Sequence, residues 1–250
     1  MDAWLIWSIV VAAAILLLGF VCVLGARKRF VKARKKYSDR PTENGVFGEE
    51  LAFAALEVYS LDDVSVASTP DKDLNAYSIK ERTLIFSQDV LDSTSVYALS
   101  VIAHEVGHAR QHQENSALLT LWYILSHIER ATTFLVLPLF VVGFVLSFIP
   151  ATSFAGAILL NLSTTFTLLA ILNRVINLPN ESNASKRGLE MLEQSEAMTK
   201  SELRGARKML RAALGTYFLS FYERLFLNFY LIKHAGKHAV TKIKSRKTKG

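Results

Sequence analysis

A His-Glu-x-x-His motif lies near the middle of the 250-residue chain and is formed by His104, Glu105 and His108. On a helix, residues four apart share one face, so the two histidines can present their imidazoles to one metal ion. Glu105 follows the first histidine and would lie beside that ion. Zinc held by two imidazoles and a third protein ligand keeps one position open. The predicted chemistry is hydrolysis, in which zinc polarises a carbonyl and acidifies a water while Glu105 accepts the water's proton.

The residues around the motif favour a helix. Candidate N-cap residues occupy positions 93–95, just upstream. Leu99, Ile102 and Val106 recur at helical spacing and predict a buried face, which leaves the histidines on another face. Gly107 is a poor helix former, and it fits a position that another element approaches closely. The alternative is a surface helix with incidental histidines.

The sequence leaves the third metal ligand open. The only cysteine, Cys22, lies inside an apolar segment, so cysteine-ligated zinc is excluded and the ligand must be a histidine or a carboxylate. Glu181 is a candidate because its segment is predicted to return to the same side of a membrane. His112 and His127 are competing candidates. The next acidic residues are typical of a solvated helix face: Glu190, Glu193 and Glu196.

The segments before the motif predict a small soluble domain. Residues 42–60 have the spacing of an amphipathic helix, and residues 64–67 are a short candidate strand. Residues 74–79 and 83–87 predict a β-hairpin directly before the metal helix. A strand edge there could hold an extended peptide, or the hairpin could merely cover the helix.

Apolar residues make up 51% of the chain and are concentrated in blocks long enough to cross a bilayer. Residues 3–26 are apolar, and a basic cluster follows at 27–36. A secretory signal would carry its positive charges first, so we expect a retained anchor with its basic flank in the cytoplasm. Residues 131–149 and 154–176, joined by a short link, predict a transmembrane hairpin that returns the chain to the cytoplasm.

The net charge of +7 raises the question of nucleic acid binding. No nucleic-acid-binding motif accompanies the charge, whereas a basic cluster beside a membrane segment suits anionic lipid. The bilayer is therefore the expected partner, and nucleic acid is not.

The predicted organisation runs in six parts: an anchor at 1–26, a cytoplasmic basic flank and catalytic domain at 27–130, a transmembrane hairpin at 131–176, a cytoplasmic segment with the third ligand at 177–208, an apolar helix at 209–232 that spans or lies along the membrane, and a basic tail at 233–250.

The motif region, HEVGHARQ at residues 104–111, resembles the HEVGHAxQ core of the bacterial membrane neutral zinc metallopeptidases called the YugP family. Residues 74–90, 178–187 and 206–217 resemble further segments of that family, in the same order. The resemblance implies a membrane-bound, gluzincin-like zinc peptidase with Glu181 as the third ligand. Two positions depart from the residues usual in the family. Asn75-Ala76 stands where the family has an acidic residue and a histidine, and Asn183 stands where it has an aspartate. A weaker supporting carboxylate would hold the metal ligands less firmly.

The sequence thus predicts a mostly α multi-pass cell-membrane protein with a small α+β zincin-like catalytic domain in the cytoplasm. We expect a zinc metalloendopeptidase that acts on peptide or protein substrates. In this hypothesis His104, His108 and Glu181 bind Zn²⁺, and Glu105 is the general base. One alternative is a non-catalytic membrane adaptor or chaperone-like protein with a structural or vestigial metal site. Another is hydrolysis of a non-peptide amide. Tyr217 could contact the developing oxyanion or be a core tyrosine.

Overall fold

The fold is taken from a computed structural model that describes residues 21–22 and 24–217. Most of the predicted anchor at 1–26 lies outside the described residues. So do residues 218–232 of the last apolar block and the whole basic tail at 233–250.

The described chain is mostly helical, which confirms that part of the predicted fold class. Helix α1 includes residues 24–38. The other helices are α2 (Gly48–Val58), α3 (Gln88–Leu91), α4 (Val96–Gln113), α5 (Ala117–Ser147), α6 (Ser153–Gln194) and α7 (Lys200–Leu214). The strands are β1 (Ser65–Thr69), β2 (Ala76–Ser78) and β3 (Thr83–Ser87).

The three strands form one sheet in the order β1-β3-β2. Strand β2 pairs antiparallel with β3, with Tyr77 opposite Leu84, so the predicted hairpin is confirmed. Strand β1 pairs parallel with β3, a pairing that the sequence did not indicate. Because β2 has only one strand neighbour, its other edge faces away from the sheet.

Helix α4 carries the His-Glu-x-x-His motif and runs through the core. Its start is fixed by Ser95, whose hydroxyl accepts a hydrogen bond from the Ala98 amide at 3.2 Å, as expected of an N-cap. Leu99, Ile102 and Val106 are completely buried, which confirms the predicted buried face. The histidines are thereby turned toward α6.

Helices α4 and α6 touch backbone to backbone at two glycines. An ideal Cβ added to Gly107 would lie 2.2 Å from the carbonyl oxygen of Ala184. A Cβ on Gly188 would lie 2.4 Å from the carbonyl oxygen of Ala103. Any side chain at either position would push the helices apart. The expectation that another element approaches Gly107 is confirmed.

The described chain divides into two compact units. The first contains residues up to 124 together with 175–217, and it holds the sheet, α4 and α7. The second contains residues 125–174, where α5 and α6 pack together: the Ser163 hydroxyl donates to the carbonyl of Val136 at 2.8 Å. Inside this unit the buried Glu129 pairs with Arg174 at 2.6 Å.

Helices α5 and α6 are each long and apolar enough to cross a membrane. Large apolar side chains remain exposed along the second unit, including Phe134 and Phe154. Such an exposed apolar surface is unusual for a monomer in water.

Three helix boundaries differ from those predicted. Helix α2 begins at Gly48, whereas the pattern predicted a start near 42. Helix α6 continues through Pro179 to Gln194, so residues 178–187 extend the third apolar block as one helix. A proline inside a helix costs about 3 kcal/mol, and the close packing of α6 on α4 outweighs that penalty. Helix α7 ends at Leu214, inside the block predicted over 209–232.

Candidate active site

His104 and His108 on α4 meet Glu181 on α6. The Oε2 atom of Glu181 lies 3.1 Å from Nε2 of His104 and 3.3 Å from Nε2 of His108. All three coordinating atoms lie within 4.8 Å of one another. In a tetrahedral site with bonds of about 2.0–2.1 Å, neighbouring ligand atoms are about 3.3 Å apart. The two nitrogen-oxygen distances therefore fit a zinc ion, as does the chemistry of two imidazoles and one carboxylate.

Both imidazoles are oriented through their other ring nitrogen. Nδ1 of His108 lies 2.9 Å from Oε1 of Gln111, and Nδ1 of His104 lies 3.1 Å from the hydroxyl of Ser185. Because the Gln111 oxygen can only accept, His108 donates from Nδ1, so Nε2 is the nitrogen that would bind a metal once its proton is displaced. Glu181 and Ser185 lie on the same helix, so α6 supplies both a candidate ligand and a hydrogen-bond partner for an imidazole.

Gln111 is completely buried and is fixed by α6. Its amide nitrogen donates to the backbone oxygen of Asn180 at 3.0 Å and to Oδ1 of Asn183 at 2.9 Å. No role was predicted for Gln111 from the sequence. Its position three residues after His108, on the same helix face, was the available signal.

Asn183, one of the two positions that depart from the family's usual residues, contacts Gln111 and neither of the two histidines. Its Oδ1 atom also accepts a hydrogen bond from Nε of Arg187 at 2.9 Å. Arg187 in turn pairs with Glu114 at 2.5 Å. The neutral side chain of Asn183 thus accepts hydrogen bonds from Gln111 and Arg187, the same two donors that an aspartate at this position would face.

The electrostatics of the three ligands are coupled. Burial alone would raise the pKa of Glu181, but the charge of His108 and the hydrogen bonds from both histidines hold it well below its usual range. Burial lowers the pKa of His108, but the charge of Glu181 and its hydrogen bond outweigh this and raise that pKa to about 9. Glu181 is therefore a carboxylate in the folded protein, which is the state in which it could bind a metal.

Glu105 lies next to the three ligands and is anchored to the sheet. Its Oε2 atom accepts a hydrogen bond from the backbone amide of Tyr77, on the outer edge of β2, at 2.9 Å. Burial raises the pKa of Glu105, and the charges of His104 and His108 partly offset that rise. A carboxylate with a raised pKa is better matched to proton transfer near neutral pH.

Tyr217 belongs to the site, so it is not simply a core tyrosine. Its hydroxyl donates a hydrogen bond to Glu181, and burial together with that carboxylate's charge raises the tyrosine's pKa well above its usual value. The side chain also lines two cavities together with His104 and Glu105. Asn75, from the other departure, lines the same two cavities, and its Oδ1 accepts from the Ser87 amide at 3.1 Å.

The competing ligand candidates are elsewhere. Within the described ranges, His104, His108 and Glu181 form the only group of three potential ligands within coordinating distance. Nδ1 of His112 is 2.8 Å from the Tyr77 hydroxyl, so this histidine faces the sheet. The remaining candidates fall outside the group: His127, Glu190, Glu193 and Glu196.

A protein family and a bacterial relative match this chain over most of its length. The model of a family described as "Putative neutral zinc metallopeptidase" matches residues 12–235. The chain is 30% identical over 205 residues to "Putative membrane protease YugP" of Bacillus subtilis (strain 168), an alignment that covers 81% of this chain and 88% of that protein. No solved structure matches the chain. With nine-tenths of its length matched, the chain belongs to the neutral zinc metallopeptidase family that the sequence resemblance indicated.

Proposed function

We propose that this protein is a membrane-bound zinc metallopeptidase that hydrolyses peptide bonds. The observation that carries the proposal is the meeting of His104, His108 and Glu181, from two helices, directly beside the buried carboxylate of Glu105. The family and its membrane-protease relative support the same class. They do not favour the adaptor alternative.

Zinc fits the three ligands in number, type and spacing, and when bound it would polarise the scissile carbonyl and lower the pKa of the attacking water. Glu181 supplies the single negative charge among the ligands. Gln111 and Ser185 hold the imidazoles so that both Nε2 atoms face the carboxylate.

Glu105 is the proposed general base. The Tyr77 amide holds one carboxylate oxygen, which fixes the side chain's direction and leaves the other oxygen for a proton. Glu105 accepts that proton from the attacking water and then gives it to the leaving amine, so the carboxylate is restored at the end of the cycle.

The first test is the zinc content of the purified full-length protein. Wild type should hold about one zinc per chain, and Glu181→Ala should lose it or bind it far more weakly. Glu193→Ala is the matched control, because Glu193 is an exposed carboxylate on the same helix that lies outside the ligand group. A folded wild type that takes up no zinc when zinc is supplied would refute the proposal.

The second test separates catalysis from metal binding. Glu105→Gln keeps an oxygen to accept the Tyr77 amide but cannot take a proton at neutral pH. Zinc content should stay at the wild-type level, while hydrolysis of a quenched-fluorescence peptide library should fall at least about 100-fold. Hydrolysis at the wild-type rate would remove Glu105 from the role of base.

We also propose that residues 131–149 and 154–176 cross the bilayer as a hairpin, with the catalytic unit in the cytoplasm. Their length, their apolar composition and the exposed apolar side chains of the second unit support this. The basic cluster at 27–36 supports the orientation.

The topology can be tested with single cysteines, because Cys22 is the only native one. In a Cys22→Ser background, Ser153→Cys should react with a membrane-impermeant maleimide on intact cells. Asp71→Cys should react only after the cells are permeabilised. The reverse pattern would place the catalytic unit outside.

A further inference from the structure

Two cavities flank the reactive centre and share four lining residues, which mark their junction: Asn75, His104, Glu105 and Tyr217. The second cavity, of about 180 Å³, also contains His108 and Glu181. If the proposed peptidase function holds, a scissile carbonyl lies at this junction. The side chains next to it on the substrate then extend into the cavities.

The first cavity has a volume of about 160 Å³ and lies between α1, α4 and α7. We name it the Val101 cavity. One wall is apolar and is built by Phe30, Val101, Leu210, Ala213 and Leu214. An apolar protein cavity of about 150 Å³ is large enough to bind benzene. The Val101 cavity therefore has room for one large apolar side chain.

The charged groups of this cavity are already engaged. Glu105 is held by the Tyr77 amide and has the proposed catalytic role. Asp73 has a side chain that is 79% exposed, so it lies at the mouth, and it pairs with Arg34 at 2.9 Å. A charged substrate side chain would lose its hydration without gaining a partner on the apolar wall.

We propose that the Val101 cavity is a specificity subsite, and that the protein selects peptides with a large apolar residue such as leucine or phenylalanine next to the scissile bond. This inference rests on the proposed function. Each extra methylene in an apolar pocket typically changes discrimination by about tenfold or more. Leucine or phenylalanine should thus be preferred over alanine by at least about tenfold.

Amino-acid hydroxamates provide a test that does not require turnover, because the hydroxamate binds zinc while the side chain samples a neighbouring cavity. Binding of acetohydroxamate and of the glycine, alanine, leucine, phenylalanine, lysine and aspartate hydroxamates is measured by calorimetry on zinc-loaded, full-length protein in detergent. The leucine or phenylalanine compound should bind at least about tenfold more tightly than the alanine compound. The lysine and aspartate compounds should bind no better than alanine.

Two variants assign the preference to this cavity. Ala213→Leu adds three carbons to its wall and should abolish the preference for large apolar side chains. Ala212→Leu makes the same change at the neighbouring position, which does not line the cavity, and should keep the preference. The zinc content of both variants shows that the metal site is intact.

The outcomes separate the two proposals. Equal affinities across the panel, in protein that binds zinc and acetohydroxamate, would overturn the subsite while leaving the peptidase proposal standing. An apolar preference that persists in Ala213→Leu would also overturn it, because the preference would then belong to the other cavity. Failure to bind zinc or acetohydroxamate would overturn the peptidase proposal and this inference with it.

Discussion

The substitution Gly107→Ala should abolish binding of the proposed zinc ion without unfolding the protein. Gly107 lies between the two ligand histidines, and the added Cβ would be 2.2 Å from the backbone oxygen of Ala184. An ordinary contact at this kind of site is 3.4 Å or more, so α4 and α6 must separate by about 1.2 Å. Neither partner can yield by rotating a side chain, because the clash is with backbone.

That displacement is large compared with what a zinc site tolerates. Ala184 lies one helical turn after Glu181, so a shift at the contact moves the carboxylate away from both imidazoles. Zinc-ligand distances are held to within about 0.2 Å, so a movement of about 1 Å removes one of the three ligands. Since perturbing a mere supporting residue already costs about 10–100-fold in metal affinity, the loss here should be at least 100-fold.

Stability should change much less. Overpacking of this kind lowers the free energy of unfolding by about 1–3 kcal/mol. Replacing glycine by alanine in a helix raises it by up to about 1 kcal/mol, which offsets part of that loss. Circular dichroism should therefore show a folded, helical protein. Zinc affinity is measured by competition with a chromogenic chelator. Gly25→Ala is the matched control, because nothing described lies within 4 Å of the Cβ that it adds.

Gly188→Ala provides an internal check, because its Cβ would lie 2.4 Å from the Ala103 oxygen, beside His104 on the same helix contact. It should reproduce the effect of Gly107→Ala. Wild-type zinc affinity in both folded variants would refute the argument that helix proximity positions Glu181.

Three other substitutions test supporting contacts. Gln111→Leu removes the acceptor that orients a ligand imidazole, so zinc affinity should fall about 10–100-fold in equilibrium dialysis; an unchanged affinity would contradict this role. Tyr217→Phe removes the hydroxyl that donates to Glu181, and zinc affinity should fall about tenfold by chelator competition, with full affinity ruling out a contribution from that bond. Glu129→Ala removes the buried carboxylate that pairs with the partly buried Arg174, so the free energy of unfolding in detergent should drop by about 3–5 kcal/mol; an unaltered thermal transition would show that the pair adds nothing.

The parts of the site that depend on local periodicity could be predicted from the sequence. The spacing of Leu99, Ile102 and Val106 set the buried face of α4, and that face fixed the direction of His104 and His108. The β-hairpin followed from two strand-like segments, 74–79 and 83–87, on either side of a short polar turn. These patterns are local, so few tertiary contacts are needed to interpret them.

The remaining parts depend on contacts between distant segments. Glu181 was one of several acidic candidates until the family resemblance singled it out, because its distance from α4 is set by packing and not by spacing. The third apolar block was predicted to end at 176, whereas α6 continues through Pro179 to Gln194, since tertiary packing outweighs the local penalty of the proline. The parallel pairing of β1 with β3 also joins segments that are not adjacent in sequence, and no local pattern indicates it.

The bond between the Tyr77 amide and Glu105 has a consequence for mutational scanning. The donor belongs to the main chain, so replacing Tyr77 by alanine removes the hydroxyl that meets His112 and leaves the bond to Glu105 in place. A scan of side chains would therefore understate the contribution of strand β2. Proline at position 77 is the substitution that removes the donor itself. A large gap in activity between the proline and alanine variants would measure how much of the placement of the Glu105 carboxylate is encoded in the path of the backbone.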